Sequence, residues 1–120
     1  MKKLLKEFEQ ERHKYSVYTT IHEHDCAIEF ILEVDNIQKI SCLIKNDKDL
    51  NGAIIDKYET SLTIDDKMIE TLFFLFVKNY LVSKVKLDKL YCNEDDIFEK
   101  TSSYIQYKEN FFNGKYVCNL

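Results

Sequence analysis

"CAIEFILEVDNIQKISCLIKND", Cys26 to Asp47, carries the plainest conformational signal in the chain. Ile28, Phe30, Leu32 and Val34 alternate with Glu29, Glu33 and Asp35, a period of two that puts apolar side chains on one face of a strand and acids on the other. After Asp35 and Asn36 the pattern resumes with Ile40, Cys42 and Ile44. Two antiparallel strands follow. Pairing Leu32 with Ile40, Phe30 with Cys42 and Ile28 with Ile44 gathers the apolar residues and sets Glu33 opposite Lys39. That register leaves three residues for the turn and puts Ile37 where a positive φ is common, which a β-branched residue resists. A wider loop or a bulge resolves the conflict.

Upstream, Tyr15, Val17, Thr19 and Ile21 alternate with Ser16, Tyr18 and Thr20, which predicts another half-buried strand, and "HEHD" supplies a polar turn. Residues 2 to 14 place Leu4, Leu5 and Phe8 at helical spacing opposite Lys6, Glu7, Gln10 and Glu11, which predicts a short amphipathic helix. Downstream, "AIIDKYETSLTI" predicts a strand in which Tyr58, Thr60, Leu62 and Ile64 alternate. Thr63 or Asp65 then caps a long helix whose acidic first turn suits its dipole. Along that helix Met68, Ile69, Leu72, Phe73, Phe76 and Tyr80 form one stripe, widened by Phe74, Leu75 and Leu81, so it is expected to be covered from two directions. "VKLDKLYC" reads as a strand, and Asn93 caps a short third helix through Ile97, Phe98 and Thr101. Asn113 and Gly114 both tolerate positive φ and predict a terminal hairpin with Phe111 opposite Tyr116, Glu109 opposite Cys118 and Tyr107 opposite Leu120. The expected fold is a single α+β domain over residues 1–120: an antiparallel sheet of three or more strands on a buried central helix, with an N-terminal helix, a short third helix and a C-terminal hairpin.

Composition narrows the function classes. A chain of 120 residues, 45% hydrophobic and 32% charged, supports one core inside a solvated surface. The net charge of -4 and a single arginine, Arg12, leave little to grip a phosphate backbone, so no direct nucleic-acid contact is expected. Gly52 and Gly114 are the only glycines, which excludes the Gly-rich phosphate cradles of P-loop and dinucleotide-binding enzymes. The N-terminal stretch has no apolar h-region, and "TLFFLFV" between Glu70 and Lys78 is too short to span a bilayer, so no membrane association and a cytoplasmic location are expected. Cys26, Cys42, Cys92 and Cys118 show no CxxC spacing and read as small buried hydrophobes in a reducing compartment.

Three arrangements suggest chemistry. In "HEHDC", His22, His24 and Cys26 would share a face if the segment were extended, with Cys42 on the next strand as a fourth metal ligand. Against this, Ile28 and Phe30 continue the same face, which makes Cys26 the first core position and the histidines turn residues. No metal and no cofactor are expected. Asp65/Asp66 and Asp95/Asp96 could serve as acid and base, but both pairs sit where helix N-termini attract negative charge. The third arrangement is Glu94, Asp95, Asp96 and Glu99 interleaved with Phe98 and Tyr104, where acids supply steering and aromatics supply anchors for a protein with a basic site.

The order helix, three strands, helix resembles the double-stranded-RNA-binding domain over about the first two thirds of the chain. That family opens its second helix with a lysine-rich turn across phosphates, whereas this helix opens "TIDDK", so the resemblance implies the fold and not the RNA contact. The same order with an acidic segment after the second helix is also similar in outline to small anti-CRISPR inhibitors encoded by phages. The function expected from the sequence is a non-enzymatic protein-binding module, an inhibitor of a host or bacterial defence protein of the phage or mobile-element type. A toxin-immunity protein and a small metal- or ligand-binding enzyme using HEHDC are the alternatives, and a homo-oligomer is compatible with any of them.

Overall fold

In the computed structural model, which describes residues 2–47, 52–62, 67–92, 107–112 and 115–119, the chain builds one eight-stranded mixed sheet. Its strands are β1 (Lys2–Gln10), β2 (His13–His22), β3 (Ala27–Val34), β4 (Ile37–Asp47), β5 (Gly52–Thr60), β6 (Lys89–Cys92), β7 (Tyr107–Phe112) and β8 (Lys115–Asn119). They lie in the order β1-β2-β3-β4-β5-β6-β8-β7. The first five form an antiparallel meander. A helix, α1 (Lys67–Tyr80), then carries the chain to β6, which runs parallel to β5, as a βαβ crossover requires. In the hairpin of β7 and β8, Phe111 faces Tyr116, while Tyr107 faces Cys118 instead of Leu120 because the register shifts between Tyr107 and Phe111.

The expected N-terminal helix is therefore a strand, and with it the likeness to the helix-first order of both the RNA-binding domain and the anti-CRISPR inhibitors disappears. The reason is a bulge. Leu4 pairs with Tyr18 and Lys6 with Val17, leaving Leu5 as an extra residue on β1. The insertion re-phases the alternation, so that Leu5 and Phe8, three positions apart, both pack against the core. A bulged strand thus reproduces the i, i+3 spacing of a helix. Glu11 and Arg12 then close the hairpin to β2 with φ of 51° and 69°, a two-residue turn that carries neither glycine nor asparagine.

The same device recurs twice. In the β3–β4 hairpin, Leu32, Phe30 and Ile28 face Ile40, Cys42 and Ile44, but Glu33 faces Gln38, so Lys39 is the extra residue. The turn shrinks to Asp35 and Asn36, with φ of 51° and 67°, and Ile37 is spared the left-handed region. Between β4 and β5, Leu43 faces Lys57 while Ile44 faces Ile55, which makes Asp56 the extra residue and brings both Ile55 and Tyr58 to the core side.

One face of the sheet is sealed by α1. Val17, Phe30, Leu32, Ile40, Cys42, Ile44, Ile55 and Leu90 meet Ile69, Phe73, Phe74, Val77 and Leu81 in a single cluster. The helix buries one stripe and is not covered from two directions: Met68 is 68% exposed and Leu75 41%. The expected central position of the helix is thus replaced by a lateral one, because the sheet is wider than the sequence pattern suggests and supplies the buried area itself. The third helix expected near Asn93 to Tyr104 lies outside the described residues.

Side-chain links fix this assembly. The Tyr58 hydroxyl donates to Glu70, joining β5 to the first turn of α1. Asp35 accepts from the Lys14 backbone N–H at 2.9 Å and contacts His13 Nδ1 at 2.6 Å, tying the β3–β4 turn to the start of β2. The backbone hydrogen bond and then the His13 contact lower the Asp35 carboxyl below its ordinary 3.8. A lowered folded-state value stabilises the fold above the ordinary one, so this tie weakens as pH falls below 3.8. Thr19, 2% exposed on the helix side of β2, has no hydrogen-bond partner for its Oγ1. Thr19→Val removes an unpaired buried hydroxyl at constant shape and is expected to raise stability by about 1 kcal/mol, read as a higher urea midpoint at unchanged slope.

Candidate functional site

The HEHDC segment does not stay extended. β2 ends at His22, Glu23–Asp25 form a 3-10 turn, and Cys26 adopts the left-handed conformation, with φ 50° and ψ 46°, before β3 begins. Alternation fails across the turn, so His22, His24 and Cys26 do not share a face. Cys42 is buried in the core while Cys26 is exposed, which corrects the expectation that Cys26 is the first core position; Ile28 is the first residue of β3 packed against the core. Among the described residues, no three His, Cys, Asp or Glu side chains converge as a metal site. No hydrogen bond among them joins the Cys26 thiol to a histidine.

His22 instead belongs to a polar groove of about 390 Å³ on the face opposite α1, lined by Glu29, Ser41, Lys45, Lys57 and Glu59 among others. Ser41 Oγ donates to Glu29 Oε2 at 2.9 Å, and His22 Nε2 lies 3.5 Å from Glu29 Oε1. The residue types are those of a hydrolytic triad, but the order is wrong. A serine nucleophile needs the imidazole between hydroxyl and carboxylate, to take the hydroxyl proton. Here the carboxylate is in the middle, accepting from Ser41 on one oxygen and facing the imidazole on the other, so Ser41 donates to Glu29 and not to His22. Lys45 is paired with Asp56 at 3.3 Å and Lys57 with Glu59 at 3.1 Å.

This cluster was readable from register alone. Glu29 faces Thr20 on β2 and Leu43 on β4, which makes His22 and Ser41 its diagonal neighbours on the same face. Sequence reading passed over it because alternation marked Glu29 as a solvent-facing residue and went no further.

Lys2, Asp35 and Tyr58 have displaced ionisation, and each serves the fold. Lys2, raised by its hydrogen bond to Glu33 at 2.5 Å, also lies 4.3 Å over the Tyr18 ring. Asp35 sits in the turn-to-strand tie, and Tyr58 in the strand-to-helix link. Such shifts mark structural pairs as readily as active sites. The six residues expected to meet a partner, Glu94, Asp95, Asp96, Phe98, Glu99 and Tyr104, lie outside the described residues.

The outer edge of the sheet at β1 is guarded. Lys2, Lys3, Lys6, Glu7 and Glu9 line it, and the Leu5 bulge interrupts its hydrogen-bonding row, two features that discourage another strand from adding there. No helix among the described residues is long and apolar enough to cross a membrane. No protein-family model, curated protein or solved structure matches this chain.

Proposed function

We propose that this chain is a non-enzymatic, cytoplasmic protein-binding module of the inhibitor or immunity type, which meets the basic site of another protein with Glu94, Asp95, Asp96 and Glu99 beside Phe98 and Tyr104. The observation that carries the reading is the order of the His22–Glu29–Ser41 cluster: the carboxylate stands where a relay needs the imidazole, which favours contact over turnover. Two further features support it. The chain has a net charge of -4 and one arginine, which suits a cationic protein surface better than a nucleic acid. The β1 edge is built to resist strand addition, which leaves side-chain contact or the opposite edge, β7, as the routes to a partner.

Affinity capture with the full chain from its native host, repeated with Asp95→Lys/Asp96→Lys, tests this reading. The expected result is one stoichiometric protein partner captured by the parent chain, with affinity falling roughly tenfold to a hundredfold in the charge-reversed variant and the loss concentrated in the association rate. Retention of full affinity by a folded double variant contradicts the acidic-surface reading. An enzymatic role predicts instead that His22→Ala or Ser41→Ala abolishes an activity without altering capture.

A further inference from the structure

The side of α1 turned away from the sheet carries an apolar row. Met68, Leu75 and Val82 are 68%, 41% and 44% exposed and follow one another at steps of seven residues, the last of them in the π-helical turn Leu81–Val85 that continues α1. At about 3.6 residues per turn, seven residues bring a helix back to within ~20° of its starting direction, so the three share one side. Phe73 and Val77, two residues to either side of Leu75, are 1% exposed and face the sheet, which sets that side opposite the core. Thr71, Leu72, Lys78 and Asn79 flank the row, and Lys78 alone of these is charged. The solvent side of a helix usually carries more charge. Scattered apolar residues on a surface need no explanation, but a row at heptad spacing is the seam along which helices pair.

The row is complementary to itself. A two-fold axis beside Leu75 brings in a second α1 antiparallel to the first, sets Leu75 against Leu75 and Met68 against Val82, and leaves Lys78 at the rim beside Thr71. The charges agree with that direction. The entry to α1 carries Asp65, Asp66 and Glu70 with Lys67, a negative end, and its exit carries Lys78, Lys84 and Lys86, a positive one. Antiparallel pairing places each acidic entry beside the other copy's basic exit and opposes the two helix dipoles, whereas a parallel pair sets like ends together. We propose that α1 pairs antiparallel with α1 of a second copy of this chain through Met68, Leu75 and Val82, with the two sheets on the outside. A single-helix contact lies at the small end of specific interfaces, below ~1,200 Å² in total, so the dimer is reversible, with a Kd on the order of 100 μM. Well below that concentration the monomer predominates. The contact uses none of the residues of the partner surface proposed above, so either stands if the other fails.

Sedimentation equilibrium of the full chain from about 5 μM to about 1 mM tests the assignment, and a passage from monomer to dimer is expected across that range. Leu75→Glu sets two carboxylates against each other at the axis and Leu75→Lys two ammoniums, so each should weaken association at least about tenfold. An equal mixture of the two variants brings opposite charges together and should associate at least about tenfold more tightly than either alone, a rescue that only a contact of position 75 with itself produces. Ile37→Glu, at a 60% exposed apolar residue in the β3–β4 hairpin, should leave association unchanged. A chain that stays monomeric throughout, a dimer retained by folded Leu75→Glu, a mixture no tighter than its components, or an equal loss in Ile37→Glu overturns the proposal. Should a Leu75 variant lose its fold, Met68→Glu mixed with Val82→Lys replaces the pair, since those positions meet across the axis, and a mixture no tighter than its components overturns the proposal equally.

Discussion

Phe74→Ala is expected to lower the free energy of unfolding by about 3–5 kcal/mol, much of the ~5–15 kcal/mol that holds a domain of this size folded. Phe74 is fully buried, stands edge-on to Phe73 at 5.4 Å between ring centres, and lies 5.3 Å from the Tyr58 ring. Truncation removes both ring contacts and opens a void at the centre of the helix–sheet seam, where neither β5 nor α1 is free to collapse into it. Met68→Ala supplies the contrast. The sequence stripe places Met68 in the core and Phe74 at its margin, whereas Met68 is among the most exposed apolar side chains of the helix. That substitution is expected to change stability by less than about 0.5 kcal/mol. Urea unfolding of the two variants measures the difference, and similar losses for both would mean that α1 is seated on another face.

Tyr58→Phe is the second large effect, with an expected loss of about 1.5–3 kcal/mol, the range for a hydrogen bond to an ionised group in a partly buried setting. The phenol and the Glu70 carboxylate form the polar link between β5 and α1, and the substitution leaves that carboxylate short of a donor. Its pH dependence identifies the interaction. Burial, then the hydrogen bond to Glu70 and the charge of Glu70, hold the phenol protonated well above its ordinary 10.0. A raised folded-state value gives a contribution that is complete below pH 10.0 and declines as the pH climbs above it, because only the unfolded chain then releases the proton. The stability difference between parent and Tyr58→Phe should therefore be constant from neutral pH to about 10 and shrink beyond it. The other tyrosines cancel in that difference. Phe74 and Tyr58 touch, so their two losses are not expected to add.

Where alternation is unbroken, the sequence was a sound guide to local structure. Tyr15 to Ile21 and Ile28 to Val34 are strands, and the Phe30–Cys42 pairing is the one that apolar matching selects. Errors collect where an extra residue enters a strand. At Leu5 the bulge turns a period of two into a step of three, and a strand takes on the apolar spacing of a helix. At Lys39 the extra residue moved Glu33 from Lys39 to Gln38 and shortened the turn to Asp35 and Asn36. Bulges are selected by twist and by side-chain fit across neighbouring strands, which one segment read alone does not encode. The Glu11–Arg12 turn is opaque for another reason: its residues reach positive φ without the glycine or asparagine that announces such turns. The parallel pairing of β5 with β6 likewise depends on where α1 returns the chain.

The same features decide which surfaces remain available. Because β1 closes the edge of β2 and is itself charged and bulged, that side of the sheet is a poor template for a partner strand. On the polar face Lys45 and Lys57 are ion-paired, and Glu29 is shared by Ser41 and His22.

The bulged N-terminal strand is the claim on which the corrected fold rests, and backbone NMR of residues 2–22 tests it most directly. A strand predicts strong sequential Hα–HN contacts from Lys2 to Gln10, cross-strand contacts between Lys3 and Thr19 and between the Phe8 and Tyr15 rings, stacked at 5.1 Å, and a break in the ladder at Leu5. Sequential HN–HN contacts with Hα–HN contacts three residues apart over Leu4 to Glu11, and no contact from Phe8 to Tyr15, would establish a helix there and contradict the eight-stranded sheet.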